Sequence, residues 1–233
     1  KFLLANKRAF VLNEMRTGKT LSVLWATDIL FRHNKIKKVL IVAPLTILKL
    51  VWAKEIFCNF PHLSYAIAHG THEKRLQAIN SSTNFVIINH DGIKTVYNEL
   101  INAKFDLIVI DEVTAYKNAT SDRSKLMRRI ADTIPAVWSL SGNVTPNGPT
   151  EAFSPARITV PNNPYLPKYY TKFRDMVEMQ IAPFIWISKP GAKDVVHRLL
   201  QPSIRFTRDQ CFDVPAMTHR VIDLELSTEQ KLA

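Results

Sequence analysis

Asn13-Glu-Met-Arg-Thr-Gly18-Lys19-Thr20 stands between an apolar run, Ala9–Leu12, and a segment whose apolar residues, Leu21, Leu24, Trp25 and Ile29, recur at helical spacing. A strand that gives way through such a loop to a helix is built to take an anion. Backbone N–H groups of the tight loop, with the helix N-terminus behind them, wrap a phosphate. Gly18 lets the backbone approach closely, Lys19 reaches β- and γ-phosphates, and the Thr20 hydroxyl serves as a magnesium ligand. Glu14, Met15, Arg16 and Thr17 complete the cradle; for Arg16 three surroundings stay open, phosphate, DNA or solvent. Asn13 takes the place of the first glycine in G-x-x-x-x-G-K-[ST], where asparagine's tolerance of left-handed backbone angles helps. Gly-Lys-Thr alone also arises by accident at helix starts. The strand–loop–helix setting is what gives it weight.

The pattern repeats outward. Val39–Ala43, Tyr65–Ala68, Phe85–Ile88, Leu107–Ile110 and Ala136–Leu140 are further short runs, mostly apolar on both faces, with helically spaced segments between them. Strand then helix, repeated, predicts an α/β fold whose parallel sheet is covered on both sides. Phe105–Ile110 leads into Asp111-Glu112, two carboxylates at a strand's C-terminal end, the crevice where such sheets bind ligands. Asp111 is the candidate magnesium carboxylate, and Glu112 the candidate base that orients and deprotonates an attacking water. An Asp-Glu pair after a strand is commonly no more than a charged helix start. Combined with Gly18-Lys19-Thr20 upstream and three intervening βα units, it indicates a P-loop NTPase that uses ATP and Mg2+.

Charge points the same way. Lysine and arginine total 31 against 20 acidic residues, a formal +11. Residues 1–60 hold eleven basic and three acidic residues, +8, while the other 173 hold twenty and seventeen, +3. A basic stretch inside a folded pattern suits a polyanion partner, though it equally suits a surface kept soluble. With 233 residues, 46% hydrophobic and 22% charged, the chain carries a sizeable core, and disorder, collagen and coiled coil are excluded. The longest apolar stretch, 39–52, is interrupted by Pro44 and Lys49 and falls short of a bilayer span, so no membrane partner is expected. Cys58 and Cys211, with no C-x-x-C pair, argue against a disulfide framework or a cysteine zinc site and suit a reducing, cytoplasmic setting. The chain opens at Lys1 and closes inside a helix-like run, Ser227–Ala233, and so reads as a piece of something longer.

Beyond residue 146 the text changes. Pro146, Pro149, Pro155, Pro161, Pro164 and Pro167 forbid one long helix, and a boundary is expected near Pro149. Helical stretches follow at Lys172–Met179 and Asp194–Leu200, then an alternating strand at His219–Leu226. Tyr165-Leu-Pro-Lys-Tyr-Tyr-Thr-Lys-Phe-Arg174 mixes aromatic and basic residues as single-strand platforms do, but packing is the favoured reading. His69 and His72 read as surface residues, and Lys125, Arg128 and Arg129 as a solvated helix face.

Several stretches, in order, resemble the motifs of one family, the Snf-type branch of superfamily 2 helicases and translocases. NEMRTGKT resembles its DEMGLGKT loop (motif I), IVAPLTILKLVWAKEI its motif Ia, and FVIINHDGI its motif Ib. LIVIDEVTAYKN resembles its DEAH-type motif II, and LSGNVTPNGP its motif III, LTGTPxxN. LLQPSIRFTRDQ, then Val-Pro, a strand and LSTEQKL resemble the family's crossing from the first motor lobe towards the second, so the likeness covers nearly the whole chain. It implies a RecA-like helicase ATP-binding lobe over 1–148. It also implies that 149–233 forms a Pro-rich connection, a small mostly helical extension and the start of the crossing to a second lobe. Implied DNA contacts are Pro44, Leu45 and Thr46, then Asn89 and His90, then Thr145 and Asn147; implied coupling residues are Thr114, Ser141 and Gly142.

The residues support the first DNA group independently. Pro44 ends a strand, Thr46 stands where a helix cap belongs, with amides for a backbone phosphate, and Lys49 and Lys54 add charge. Asn89 and His90 fit a turn pair with no ligand equally well. Val113 and Thr114 depart from the usual Ala-His or Ala-Asp of motif II, and Asn143 and Val144 from the Thr-Pro of motif III. Only twelve residues precede Asn13, where the family's adenine-reading glutamine lies further upstream, and no Q-x-x-G-R-x-x-R occurs. An arginine finger accelerates hydrolysis by roughly 10³–10⁵, so this chain alone is expected to bind nucleotide weakly and turn over little. The leading expectation is an ATP-dependent DNA helicase or translocase acting on duplex DNA, with this chain as its N-terminal lobe. The alternatives are a DNA-binding module with weakened or lost ATPase and another P-loop nucleic-acid motor.

Overall fold

Strands that are apolar on both faces have to lie inside, and the computed structural model, which describes residues 1–213, places them there. Seven strands form one parallel sheet: β1 (Arg8–Val11), β2 (Val39–Ala43), β3 (Tyr65–Ala68), β4 (Phe85–Asn89), β5 (Leu107–Asp111), β6 (Ala136–Leu140) and β9 (Ser203–Ile204). Their spatial order is β3-β4-β2-β5-β6-β1-β9. Because side chains alternate along a strand, the six longer strands each contribute to two cores. Phe10, Leu40, Val42, Val86, Ile88, Ile108, Ile110 and Val137 face one side. Ala9, Val11, Val39, Ile41, Phe85, Ile87, Leu107, Val109 and Trp138 face the other.

Helices cover both faces, as both-sided burial requires. The helices α1 (Phe2–Ala5), α2 (Lys19–Arg32) and α3 (Lys54–Asn59) pack on the second core. On the first lie α4 (His72–Asn80), α5 (Tyr97–Asn102), α6 (Asp122–Thr133), α7 (Phe153–Thr159), α8 (Tyr170–Val177) and α9 (Ala192–Leu199). A short helix, α10 (Arg208–Cys211), ends the described region. Arg8 fastens β1 to that layer by donating to the carbonyls of Ala131, Ile134, Ile158 and Thr159. Trp52 and Tyr116 are fully buried.

Three expectations need correction. The helix expected at Lys172–Met179 stops at Val177, and Glu178–Ala182 (β7) pairs antiparallel with Ile185–Ser188 (β8). Pro183-Phe184 makes the turn, with Phe184 in the left-handed region at φ 65°, and β-branched and aromatic residues in Ile181, Ile185, Trp186 and Ile187 favour strand over helix. The aromatic-basic stretch does not pack as a unit: Phe173 is buried, while Tyr165, Tyr169 and Tyr170 are exposed. The helix expected at Asp194–Leu200 starts two residues earlier, after Gly191 at φ 80°. Near Pro149 the architecture changes without a break in packing, since Phe153, Ala156, Phe173, Val177 and Leu199 share a core with the sheet. The expected strand at His219–Leu226 and the run Ser227–Ala233 lie outside the described residues. Among the described residues, no helix is long and apolar enough to cross a membrane, and Cys58 and Cys211 are free and exposed.

Candidate active site

The sheet register assembles the site. Asp111 pairs with Leu140, and Leu140 with Val11, so β5, β6 and β1 end in one row. The chain just beyond that row supplies the phosphate loop, Glu112 and Ser141 side by side, at the carboxyl edge where α/β sheets bind ligands.

Gly18 is the cap of α2, left-handed at φ 78°, and no side chain caps that helix, so its first amides face the loop. The loop is closed on itself. Lys19 Nζ donates to the carbonyls of Asn13 (2.8 Å) and Glu14 (2.9 Å), and Thr17 Oγ1 donates to the Glu14 carbonyl (2.7 Å). Burial holds the Lys19 ammonium below its ordinary pKa, opposed by Asp111, Glu112 and Glu14 nearby. Met15 and Arg16 are exposed, and Arg16 has φ 67°. Gly142 borders the loop: a side-chain carbon there would lie 3.9 Å from the Asn13 carbonyl oxygen and the Met15 side chain.

The carboxylates differ. Asp111 is buried, and its Oδ2 accepts the indole N–H of Trp52 at 2.9 Å. Burial raises its pKa, with Glu112 adding to the rise and Trp52 and Lys19 opposing it. Glu112 is exposed and left-handed at φ 58°, a strained position for a non-glycine residue and one that recurs at functional sites. Its Oε1 lies 2.8 Å from the Thr114 hydroxyl and 3.0 Å from the Ser141 hydroxyl. Thr114, a departure from the resembled motif II, thus supplies one of the two hydroxyls that hold this carboxylate in place. A closed three-ligand metal cluster is absent among the described residues. Mg2+ keeps several waters and takes one or two protein oxygens plus phosphate; the Thr20 hydroxyl and the Asp111 carboxylate are the candidate oxygens here.

Asn13 and Glu14 also bind the end of the chain's return. The Asn13 side-chain oxygen accepts from the Phe206 amide (3.1 Å), the Glu14 amide donates to the Phe206 carbonyl (2.9 Å), and Glu14 Oε2 accepts from the Arg208 amide (3.0 Å). Arg205 lies 3.7 Å from Glu14 Oε1. A side-chain acceptor thus has a use at Asn13 that glycine could not supply.

The candidate DNA residues divide into two groups. Leu45, Thr46 and Lys49 are exposed and Pro44 half-buried. Thr46 does not cap the following helix: its cap is Ile47, with no side-chain bond, because the chain first makes a turn in which the Ile47 amide donates to the Pro44 carbonyl. Thr145 is half-buried and Asn147 exposed; Asn147 donates twice to Glu151, which in turn meets Lys117 at 2.8 Å. Asn89 and His90 point inward. Asn89 Oδ1 accepts from Arg75 (3.2 Å), and His90 Nδ1 lies 2.8 Å from the Tyr116 hydroxyl. Gly92 makes room for this: a side-chain carbon there would run into the Arg75 guanidinium and the Asn89 oxygen. Burial, helped by Arg123, holds His90 down to about 4 and so neutral. Lys125 and Arg129 line an open cleft of about 610 Å³ with His72, Lys94, Asp122 and Glu99, a mixture of charges with no single character.

Reading the sequence missed Trp52, Glu151 and the Arg205–Arg208 segment. Trp52 carried one usable signal, since an indole in an otherwise apolar helical stripe, Leu48, Trp52 and Ile56, needs an acceptor.

Comparison with known proteins follows the same lines. The SNF2-related domain family matches residues 5–233. An uncharacterized ATP-dependent helicase of Mycoplasma genitalium is 28% identical over 120 residues, 51% of this chain and 12% of that protein. The SWI2/SNF2 ATPase core of Sulfolobus solfataricus in complex with dsDNA superposes with a TM-score of 0.71 at 21% identity, covering 86% of this chain and 40% of that one. The same organism's SWI2/SNF2 ATPase core domain gives 0.70 at 19% identity, covering 92% and 43%. At those identities the likeness is one of fold, and this chain spans well under half the length of each.

Proposed function

The chain belongs to the SNF2-related domain family, and from that premise we propose that it is the N-terminal motor lobe of an ATP-dependent helicase or translocase on duplex DNA. The observation that carries the reading is the row Val11–Leu140–Asp111, which brings the phosphate loop, Ser141 and Glu112 to one edge. In this reading residues 1–148 form the ATP-binding lobe, and 149–233 lead towards a second lobe.

Phosphate enters over the Gly18–Thr20 amides, and Lys19 exchanges the Asn13 and Glu14 carbonyls for β- and γ-phosphate oxygens. Thr20 and Asp111 would hold Mg2+, which would supply neutralising charge for the phosphates. Glu112, steadied by Thr114 and Ser141, orients the attacking water and accepts its proton. Gly142 and Ser141, between phosphate loop and carboxylate, pass nucleotide state to the Thr145–Asn147 stretch. DNA lies on Pro44, Leu45, Thr46 and Lys49 and on Thr145 and Asn147; Asn89 and His90, their side chains turned inward, contribute by shaping the turn. Without arginines from a second lobe this chain alone hydrolyses little.

ATP hydrolysis by the full-length protein, measured with and without duplex DNA, tests the reading. Strong stimulation by DNA is expected. A slow rate indifferent to DNA, with salt-sensitive but ATP-independent DNA affinity, points instead to a DNA-binding module, the reading that the altered motif III favours.

A further inference from the structure

Trp52 is completely buried, and its indole N–H is the one side-chain donor to Asp111 among the described residues. It sits in a wide-turn helical segment, Leu48–Ala53, whose π-type hydrogen bonding is rare and recurs at functional sites. That segment follows, after Ile47, the Pro44–Thr46 stretch, in which Leu45 and Thr46 are exposed. Leu48, Trp52 and Ala53 are locked into the core against β3 and β4, so a displacement of the stretch has a short, packed route to the carboxylate.

We propose that Trp52 is a positioning residue that holds Asp111 ready for Mg2+ and makes Mg2+ affinity respond to DNA seated on Pro44–Thr46. This rests on the assignment of Asp111 as the metal carboxylate. An indole N–H on one carboxylate oxygen fixes the plane of the group and aims the other oxygen. Outer-shell donors of this kind change metal affinity by about 10–100-fold. Phenylalanine at position 52 removes the donor and leaves a small cavity in place of the rest of the indole.

The test is binding of a fluorescent ADP analogue to the full-length protein, titrated with Mg2+ with and without duplex DNA, for wild type, Trp52→Phe and Asp111→Asn. In the wild type, DNA is expected to lower the Mg2+ requirement several-fold. In Trp52→Phe the requirement rises about tenfold and the DNA effect disappears. Affinity measured in EDTA stays as in wild type, which reports an intact phosphate loop. Should Trp52→Phe fail to fold, benzothienylalanine at position 52 keeps the indole's shape without its N–H and takes its place. Wild-type-like titration by the donor-less protein overturns the positioning role, and a shifted but still DNA-responsive titration overturns the link to DNA. Asp111→Asn behaving as wild type overturns the metal assignment itself, and this inference with it.

Discussion

The proposed nucleotide edge and the proposed DNA edge follow the carboxyl ends of strands of one sheet, yet they are built differently. At the nucleotide edge, candidate side chains converge: Lys19 lies near Asp111 and Glu112, and Glu112 is hydrogen-bonded by Thr114 and Ser141. At the DNA edge the candidates are dispersed, and Asn89 and His90 are committed to Arg75 and Tyr116 inside the protein. The difference follows from chemistry. Phosphate transfer needs particular groups within hydrogen-bond reach of one another, whereas a groove for a DNA backbone needs exposed amides and scattered charge.

Glu112→Gln sharpens the contrast most. Loss of the base is expected to lower kcat by about 10²–10⁴, while nucleotide and DNA affinity stay near wild type; steady-state ATPase beside equilibrium binding checks it. Next comes Lys19→Ala, for which nucleotide affinity falls by about 10–100-fold through lost charge-assisted bonds, with DNA affinity in the absence of nucleotide unchanged. A fluorescent nucleotide titration reads the first and an anisotropy titration the second.

His90 distinguishes the edges in another way. Its native pKa of about 4 lies below the unfolded value near 6.5, so the unfolded state binds more protons between those limits. Stability is therefore fully present above about pH 6.5 and falls as pH drops towards 4, by about 3 kcal/mol in all. His90→Gln is expected to flatten that slope in denaturation curves at pH 4.5 and 7.5 and to leave DNA affinity within about twofold, as for a side chain that meets no phosphate. The smallest effect belongs to Lys49→Ala: DNA affinity falls a few-fold, and the slope of log affinity against log salt drops by about one. An unchanged slope removes Lys49 from the DNA surface.

What was legible in the sequence tracks the same division. Strand positions followed from short runs apolar on both faces, and the candidate site from Gly18-Lys19-Thr20 and Asp111-Glu112 beyond strand ends that the sheet register brings to one edge. Trp52 meeting Asp111 and Asn13 meeting Phe206 are pairings across 59 and 193 residues, which no local pattern encodes. The inward turn of His90 depends on Tyr116 arriving from another loop, and the strand at Ser203–Ile204 on β1 being free to pair. The hairpin of β7 and β8 escaped notice because Lys172–Val177 has a strong helical pattern that masks where it stops.

In the proposed cycle the loop closed by Lys19 opens to receive phosphate in front of Glu112. An experimental structure of the full-length protein with ADP, beryllium fluoride, Mg2+ and duplex DNA tests it most directly. The phosphate mimic is expected over the Gly18–Thr20 amides, with Lys19 drawn off the Asn13 and Glu14 carbonyls and Glu112 facing the mimic. Lys19 still bound to those carbonyls, with nucleotide seated elsewhere, would contradict it.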